Sequence, residues 1–289
     1  LTGGLQPERS EPGGASADTS RPSVSVWIGL VAVVTYLSLL FIFSKIGAVH
    51  YDALSSSEHD VFWGLIFPVG STVICMIVLT SYLRLWRPVL FETRSSDTKG
   101  WGAIIVFVAA ATVTLVGGNL GAWPPATIIM LVIGTCLVGF GEELTTRGLL
   151  LTALRRRYAE IWVWLISTGA FAVMHSVNLL SGQSPGKTLA QVAGTFCLGS
   201  VLYVSRRVSG TLFVPMALHA FWDFSVFINR GPTVGGAAAA SPLASGLVFA
   251  AVTLAALFII QLGSGQHQPR LEAPDAYLPE ESLITETGA

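Results

Sequence analysis

Gly141-Glu142-Glu143-Leu144-Thr145-Thr146-Arg147 lies inside a long apolar run, Ala126 to Leu154. Ionisable side chains are costly in hydrocarbon and mark functional positions by default. Glu143 and Arg147 stand four residues apart with the acid first, the order favoured for an ion pair on a helix. Glu142 is rotated from Glu143 by about 100° at 3.6 residues per turn, so one carboxylate braces the helix while the other is left for chemistry. The competing arrangement, both carboxylates sharing Arg147 as a structural cluster, leaves excess negative charge buried.

The run belongs to a membrane protein. Hydrophobic residues make up 52% and charged residues 11% of the chain, and the mean hydropathy is +0.65, far from the usual mix of a soluble domain. Apolar stretches long enough for a bilayer core of about 30 Å occur at Val24 to Phe43, Val61 to Leu83, Trp101 to Leu120, Ala126 to Leu154, Ile161 to Leu180, Thr188 to Val204, Thr211 to Ile228 and Leu243 to Leu262. The expected fold class is therefore all-α, a polytopic protein of about eight spans over residues 24–262. Thr188 to Val204 is the weakest span, being short and holding Gln191, Gly194 and Gly199, and a re-entrant segment is the alternative there.

Eight spans give a one-sided distribution of basic residues. Arg9, Arg21, Arg84, Arg87, Arg94, Lys99, Arg155, Arg156, Arg157, Arg206, Arg207 and Arg270 fall on one side, and Lys45, Lys187 and Arg230 on the other. Basic residues are retained in the cytoplasm, so both termini are expected inside. Residues 1–23 and 263–289 are polar, proline-containing tails read as disordered. The first apolar run is read as a retained span, since it is long, follows a polar tail and lacks a convincing cleavage site. Cys75, Cys136 and Cys197 are odd in number, lie in apolar runs and receive no redox or metal role. No glycine-rich phosphate loop is present, and no nucleic-acid partner is expected.

Two further spans carry buried polar groups. Phe171, His175 and Asn178 share one helical face, and His219 stacks one turn from Asp223. A lone intramembrane histidine is more often a packing residue than a catalyst. Two histidines and a free carboxylate from three spans form a candidate site when their depths match. At 1.5 Å per residue from the predicted cytoplasmic ends, Glu142 lies roughly 20 Å, His175 roughly 21 Å, His219 roughly 12 Å and Asp223 roughly 18 Å deep. The groups fall in one layer. A water-filled cavity reaching them from the cytoplasm is expected, because neither charges nor a hydrolytic water sit against lipid.

The order Glu142-Glu143-x-x-x-Arg147, Phe171-x-x-x-His175, His219-x-x-x-Asp223 on successive buried helices resembles the CPBP family of intramembrane proteases, the type II CAAX prenyl protease or Rce1-like proteins and their bacterial branch. The resemblance covers about residues 126–228. It implies an all-helical bundle of about eight spans whose cavity opens to cytoplasm and lipid. It assigns Glu142 as the base activating water, His175 as the group holding that water, and His219 with the residue at Asp223 as the oxyanion stabilisers. Glu143, Arg147 and Phe171 support the site. A carboxylate in a low-dielectric pocket is able to take a proton from water near neutral pH. Many family members have Asn at the position of Asp223. An ionised Asp accepts hydrogen bonds and repels developing negative charge, so Asp223 is protonated, orients His219 or ligates a metal.

Metal-free glutamate catalysis without a cofactor is the preferred mechanism. Zn²⁺ held by Glu142, His175, His219 and Asp223 is the alternative, weakened by the lack of His-Glu-x-x-His and of ligand spacing on any one helix. The expected substrate is a membrane-associated peptide or protein in the lipid bilayer of a bacterial cell membrane. Two other classes fit the sequence less well. A non-catalytic scaffold or immunity-type protein of the same fold is less favoured because the motif set is intact. A transporter would show inverted repeats and broken helices in both halves, whereas here the buried polar groups are confined to the second half.

Overall fold

The computed structural model describes residues 25–92, 98–229 and 241–265. Among the described residues there is no strand, only an isolated bridge between Phe91 and Thr211. Eight long helices dominate: α1 Val26–Gly47, α2 Glu58–Tyr82, α3 Trp101–Gly117, α4 Pro125–Leu154, α5 Glu160–Leu180, α6 Pro185–Ser209, α7 Phe213–Asn229 and α8 Pro242–Gly265. Six of them, all except α3 and α7, are long and apolar enough to cross a membrane. At 17 residues each, α3 and α7 reach about 25 Å at 1.5 Å per residue. Both pack against neighbours inside the bundle, α3 on α8 and α7 on α4. The protein is an all-α polytopic membrane protein.

The doubtful sixth span is a full helix. Ser184 caps its start, with its side chain accepting from the Lys187 amide, and Pro185 supplies a first residue that needs no amide partner. Gly210 ends it in the left-handed conformation at φ 72°. Hydropathy placed its ends too far inward, because Ser, Gln and Lys in its first turns lower the apolar signal without breaking the helix. The tails expected to be disordered lie outside the described residues, save that α8 continues through Gly265, past the expected boundary at 262.

Two helices carry interruptions where the site is built. In α4, residues Leu144–Leu150 form a π-helical stretch, all of it buried, directly after Glu142 and Glu143. The Thr145 and Thr146 hydroxyls donate to the Gly141 and Glu142 carbonyls at 2.8 and 2.7 Å, so the widened turn leaves those acceptors satisfied. In α5 the helix tightens at His175, whose amide bonds Ala172 O at 3.2 Å. That leaves Phe171 O to accept from the His175 ring instead.

The end of the bundle holding the α4–α5 and α6–α7 connections is closed by buried charges. Arg155 pairs with Glu160 at 2.6 Å and with Glu92, and Arg206 pairs with Glu92 at 3.0 Å. Arg206 also donates to Val89 O at 2.7 Å, and Tyr203 donates to Glu160 at 2.5 Å. Three helices and the Glu92 segment are joined there. Several arginines counted above only as a topology signal are thus structural ion pairs, which needed the folded chain to bring Glu92 and Glu160 to them.

At Gly139, α4 crosses α7 at backbone contact: a Cβ there would lie 2.6 Å from Met216 O and 3.0 Å from Ala220 N. This crossing sets His219 beside the acidic pair. Gly139→Ala is expected to push the helices apart at a cost of about 1–3 kcal/mol. The measurement is thermal unfolding in detergent, where the midpoint should fall by several degrees; an unchanged midpoint would show that the crossing has slack.

Candidate active site

Arg147 is the innermost group, with no exposure of either its side chain or that of Glu143. Nη1 donates to Glu143 Oε1 at 2.9 Å and to Thr146 Oγ1 at 3.1 Å, and Nη2 donates to Gly199 O at 2.9 Å. The guanidinium stacks on Phe171, 3.8 Å from the ring centroid. A Cβ on Gly199 would come within 2.7 Å of Nη2 and 2.9 Å of the Phe171 ring, so only glycine lets α6 approach here. The expected ion pair is present, and it ties α4 to α5 and α6.

Glu143 does more than brace its helix. Its Oε1 also accepts from His219 Nδ1 at 3.1 Å, which fixes the ring so that Nε2 points outward. His175 is oriented in the same way, with Nδ1 donating to Phe171 O at 3.0 Å. Phe171 meets both imidazoles edge-on, at centroid distances of 5.2 and 5.4 Å. Both Nε2 atoms therefore face Glu142 Oε2, at 3.9 Å from His175 and 4.0 Å from His219. Oε2 itself has no hydrogen-bond partner. Asp223 Oδ2 lies 3.6 Å from His219 Nε2.

Glu142, Glu143, Arg147, Phe171, His175, His219 and Asp223, all named from sequence, are thus brought together. Their exposure rises from 0% at Glu143 and Arg147 to 6% at His219, 13% at Glu142, 16% at His175 and 25% at Asp223. Sequence reasoning missed the link from Glu143 to His219, since a contact across 76 residues leaves no local signal. It also missed Tyr36, whose buried hydroxyl has no hydrogen-bond partner and packs against Gly141. No group of three or more His, Cys, Asp or Glu side chains that could hold a metal ion is found among the described residues.

A cavity of about 330 Å³ adjoins these groups, with Glu142, His175, His219 and Asp223 in its wall. From there it runs along Ser44, Tyr51, Leu65, Asn178 and Gln191, toward the end holding the α1–α2 and α5–α6 connections. At the arginine-rich end the Arg155, Arg206, Glu92 and Glu160 pairs are buried between the helices. Counting depth along each helix placed the groups in one layer, but it carried no information on which end of the bundle side chains fill.

Arg147→Ala would strand the Glu143 carboxylate without its cation, and loss of one partner of a buried pair costs about 3–5 kcal/mol. Removing Glu143 and Arg147 together should cost less than the sum of the single losses. A double-mutant cycle on thermal stability reads this directly, and strict additivity would contradict the coupling. Arg147→Lys should not restore stability, since an ammonium lacks the planar fork that reaches Glu143 and Gly199 while stacking on Phe171.

No curated protein shows significant similarity to the chain. Residues 123–225 match the family model described as type II CAAX prenyl endopeptidase Rce1-like. That segment begins just before α4 and ends in α7, and so contains all seven site residues. The match spans 103 of the 289 residues, and over this segment the chain is similar to the type II CAAX prenyl endopeptidases, in agreement with the resemblance carried by the motifs.

Proposed function

We propose that the protein is an intramembrane endopeptidase that hydrolyses a peptide bond of a membrane-associated peptide or protein, with Glu142 as general base. The observation that carries this reading is the Glu142 Oε2 atom, buried without a hydrogen-bond partner and 3.9 and 4.0 Å from two imidazole nitrogens. Those separations are too long for direct hydrogen bonds and suit one bridging water.

In this mechanism His175 accepts from or donates to the water through Nε2, and Glu142 takes its proton as the oxygen attacks the scissile carbonyl carbon. The carbonyl π pair moves onto oxygen. His219, held at Nδ1 by Glu143, donates through a protonated Nε2 to that oxyanion. Collapse breaks the C–N bond, and Glu142 returns its proton to the leaving amine. Asp223 Oδ2 faces His219 Nε2 at 3.6 Å, beside the position the oxyanion would take. Glu143, Arg147 and Phe171 act as positioning residues, because each reaches the chemistry only through His219 or His175. The reading is metal-free: Glu142, His175 and His219 act on the water and the carbonyl directly.

Glu142→Gln should retain the fold and reduce cleavage of a quenched fluorogenic peptide in proteoliposomes by a factor on the order of 10² to 10⁴, the worth of general base catalysis. Normal turnover by this variant would remove Glu142 as the base. No cleavage by the wild type of any membrane-anchored peptide would favour the non-catalytic scaffold.

Asp223→Asn separates the mechanisms, since it places a neutral donor beside the oxyanion and should preserve or raise activity. Chelators should leave the wild type active. Reversible inactivation by a chelator, with bound Zn²⁺ lost alongside activity in His175→Ala, would replace the metal-free mechanism by one in which Glu142, His175 and His219 hold the ion.

A further inference from the structure

The residues placed in the site so far come from α4, α5 and α7, and one buried polar group beside them comes from α1. The buried face of α1 is Gly29, Ala32 and Tyr36, spaced to share one side of a helix. It lies along α4: a Cβ on Gly29 would come within 2.8 Å of Leu150 Cα and 3.0 Å of Ala153 Cβ. Further along the same face, a Cβ on Gly141 would come within 3.1 Å of the Tyr36 ring and 3.3 Å of its hydroxyl oxygen. Glycine at 141 therefore lets the Tyr36 phenol rest against the α4 backbone, beside the residue that precedes Glu142. The next residue on α1, Leu37, stands in the cavity wall together with Glu142.

Among the described residues the Tyr36 hydroxyl has no hydrogen-bond partner. Its side chain is fully buried, in an apolar cluster with Ala32, Met76, Leu144, Met174 and Met216. Phenylalanine would fill this space without stranding a donor, and a buried polar group left without a partner is costly. Glu142 presents the complement: its Oε2 is buried without a partner, and an ionised carboxylate only accepts. Glu142 and Asp223 are the charged groups whose fields reach the phenol. Of the two, Glu142 adjoins Gly141, on which the phenol rests.

We propose that the Tyr36 hydroxyl donates to the Glu142 carboxylate, directly or through one water, and so holds the general base in place for the reactive water. Tyr36 is then a positioning residue supplied by α1, a helix outside the matched segment 123–225. A carboxylate has lone pairs enough to accept from both Tyr36 and the water. The role of Glu142 as base rests on the protease reading above. The contact itself rests on the two unpartnered atoms and the crossing at Gly141, and is tested separately.

Tyr36→Phe removes only the hydroxyl. In proteoliposomes, kcat for a quenched fluorogenic peptide should fall by a factor on the order of 10 to 10², the worth of a hydrogen bond to a charged group. KM should be unchanged, since a misplaced base is felt in the transition state alone. The thermal unfolding midpoint should stay near that of the wild type, which separates this loss from a structural one. Unchanged kcat and KM overturn the proposal. So does a higher KM at unchanged kcat, which would place the hydroxyl on the substrate instead.

Infrared spectroscopy reads the contact without turnover. A single isotope-labelled tyrosine at position 36 gives its own phenol C–O stretch, whose frequency depends on whether the hydroxyl donates. That band should shift in Glu142→Leu, which removes the acceptor while keeping a side chain of similar size, and should stay in place in Asp223→Leu. An unmoved band in Glu142→Leu, or a shift produced only by Asp223→Leu, overturns the proposal. A shift in Glu142→Leu, with no cleavage of any membrane-anchored peptide by the wild type, supports the contact and overturns the protease reading on which the role of Glu142 rests.

Discussion

A guanidinium buried with no exposure determines how the second half of this protein is arranged. Leaving Arg147 or Glu143 unpaired would cost several kcal/mol, a large share of a total stability on the order of 5–15 kcal/mol. The neighbours of the pair are therefore constrained. Glu143 comes from the same helix, the Gly199 carbonyl from α6 and the Phe171 ring from α5. Through the second contact of Glu143 Oε1, with His219, the pair also reaches α7. Four helices are held by one buried cation and its partners, and both histidine rings rest edge-on against the aromatic ring that this cation stacks on.

The two adjacent glutamates differ in solvation. Glu143 and Arg147 are sealed off, while Glu142, one residue earlier, reaches the cavity wall with an unpartnered oxygen. Adjacent helix positions point about 100° apart, which lets neighbouring glutamates occupy such different surroundings. The π-helical stretch Leu144–Leu150 that follows carries Arg147, and π-bulges often accompany functional sites. A similar economy appears in α5, where one tightened turn frees the Phe171 carbonyl to hold His175.

The two ends of the bundle differ in the same sense. At one, carboxylates of Glu92 and Glu160 and guanidinia of Arg155 and Arg206 neutralise each other out of water. At the other, neutral amides and hydroxyls border a cavity. Water entering along the second end would meet groups that hydrogen-bond it without trapping charge. The hydrolytic reading proposed above requires such a supply, because the surrounding hydrocarbon offers none.

Much of this was legible in the chain itself. Apolar runs gave the eight helices, because membrane spans must be long and self-satisfied in hydrogen bonding. The six residues carrying charge within them, with Phe171, named the group that the fold brings together as a candidate site, because buried ionisable groups are too costly to be incidental. The spacing of Glu143 and Arg147 gave their pairing, since four residues make one helical turn. Tertiary structure alone decided which long-range partners meet: Glu143 with His219, Arg147 with Gly199 O, and Arg155 and Arg206 with Glu92. It also decided the direction of the cavity. Helical period records which residues share a face, but the filling of space between helices depends on crossings such as Gly139 against Met216 and Ala220, and no property of a single helix encodes the shape of its neighbours.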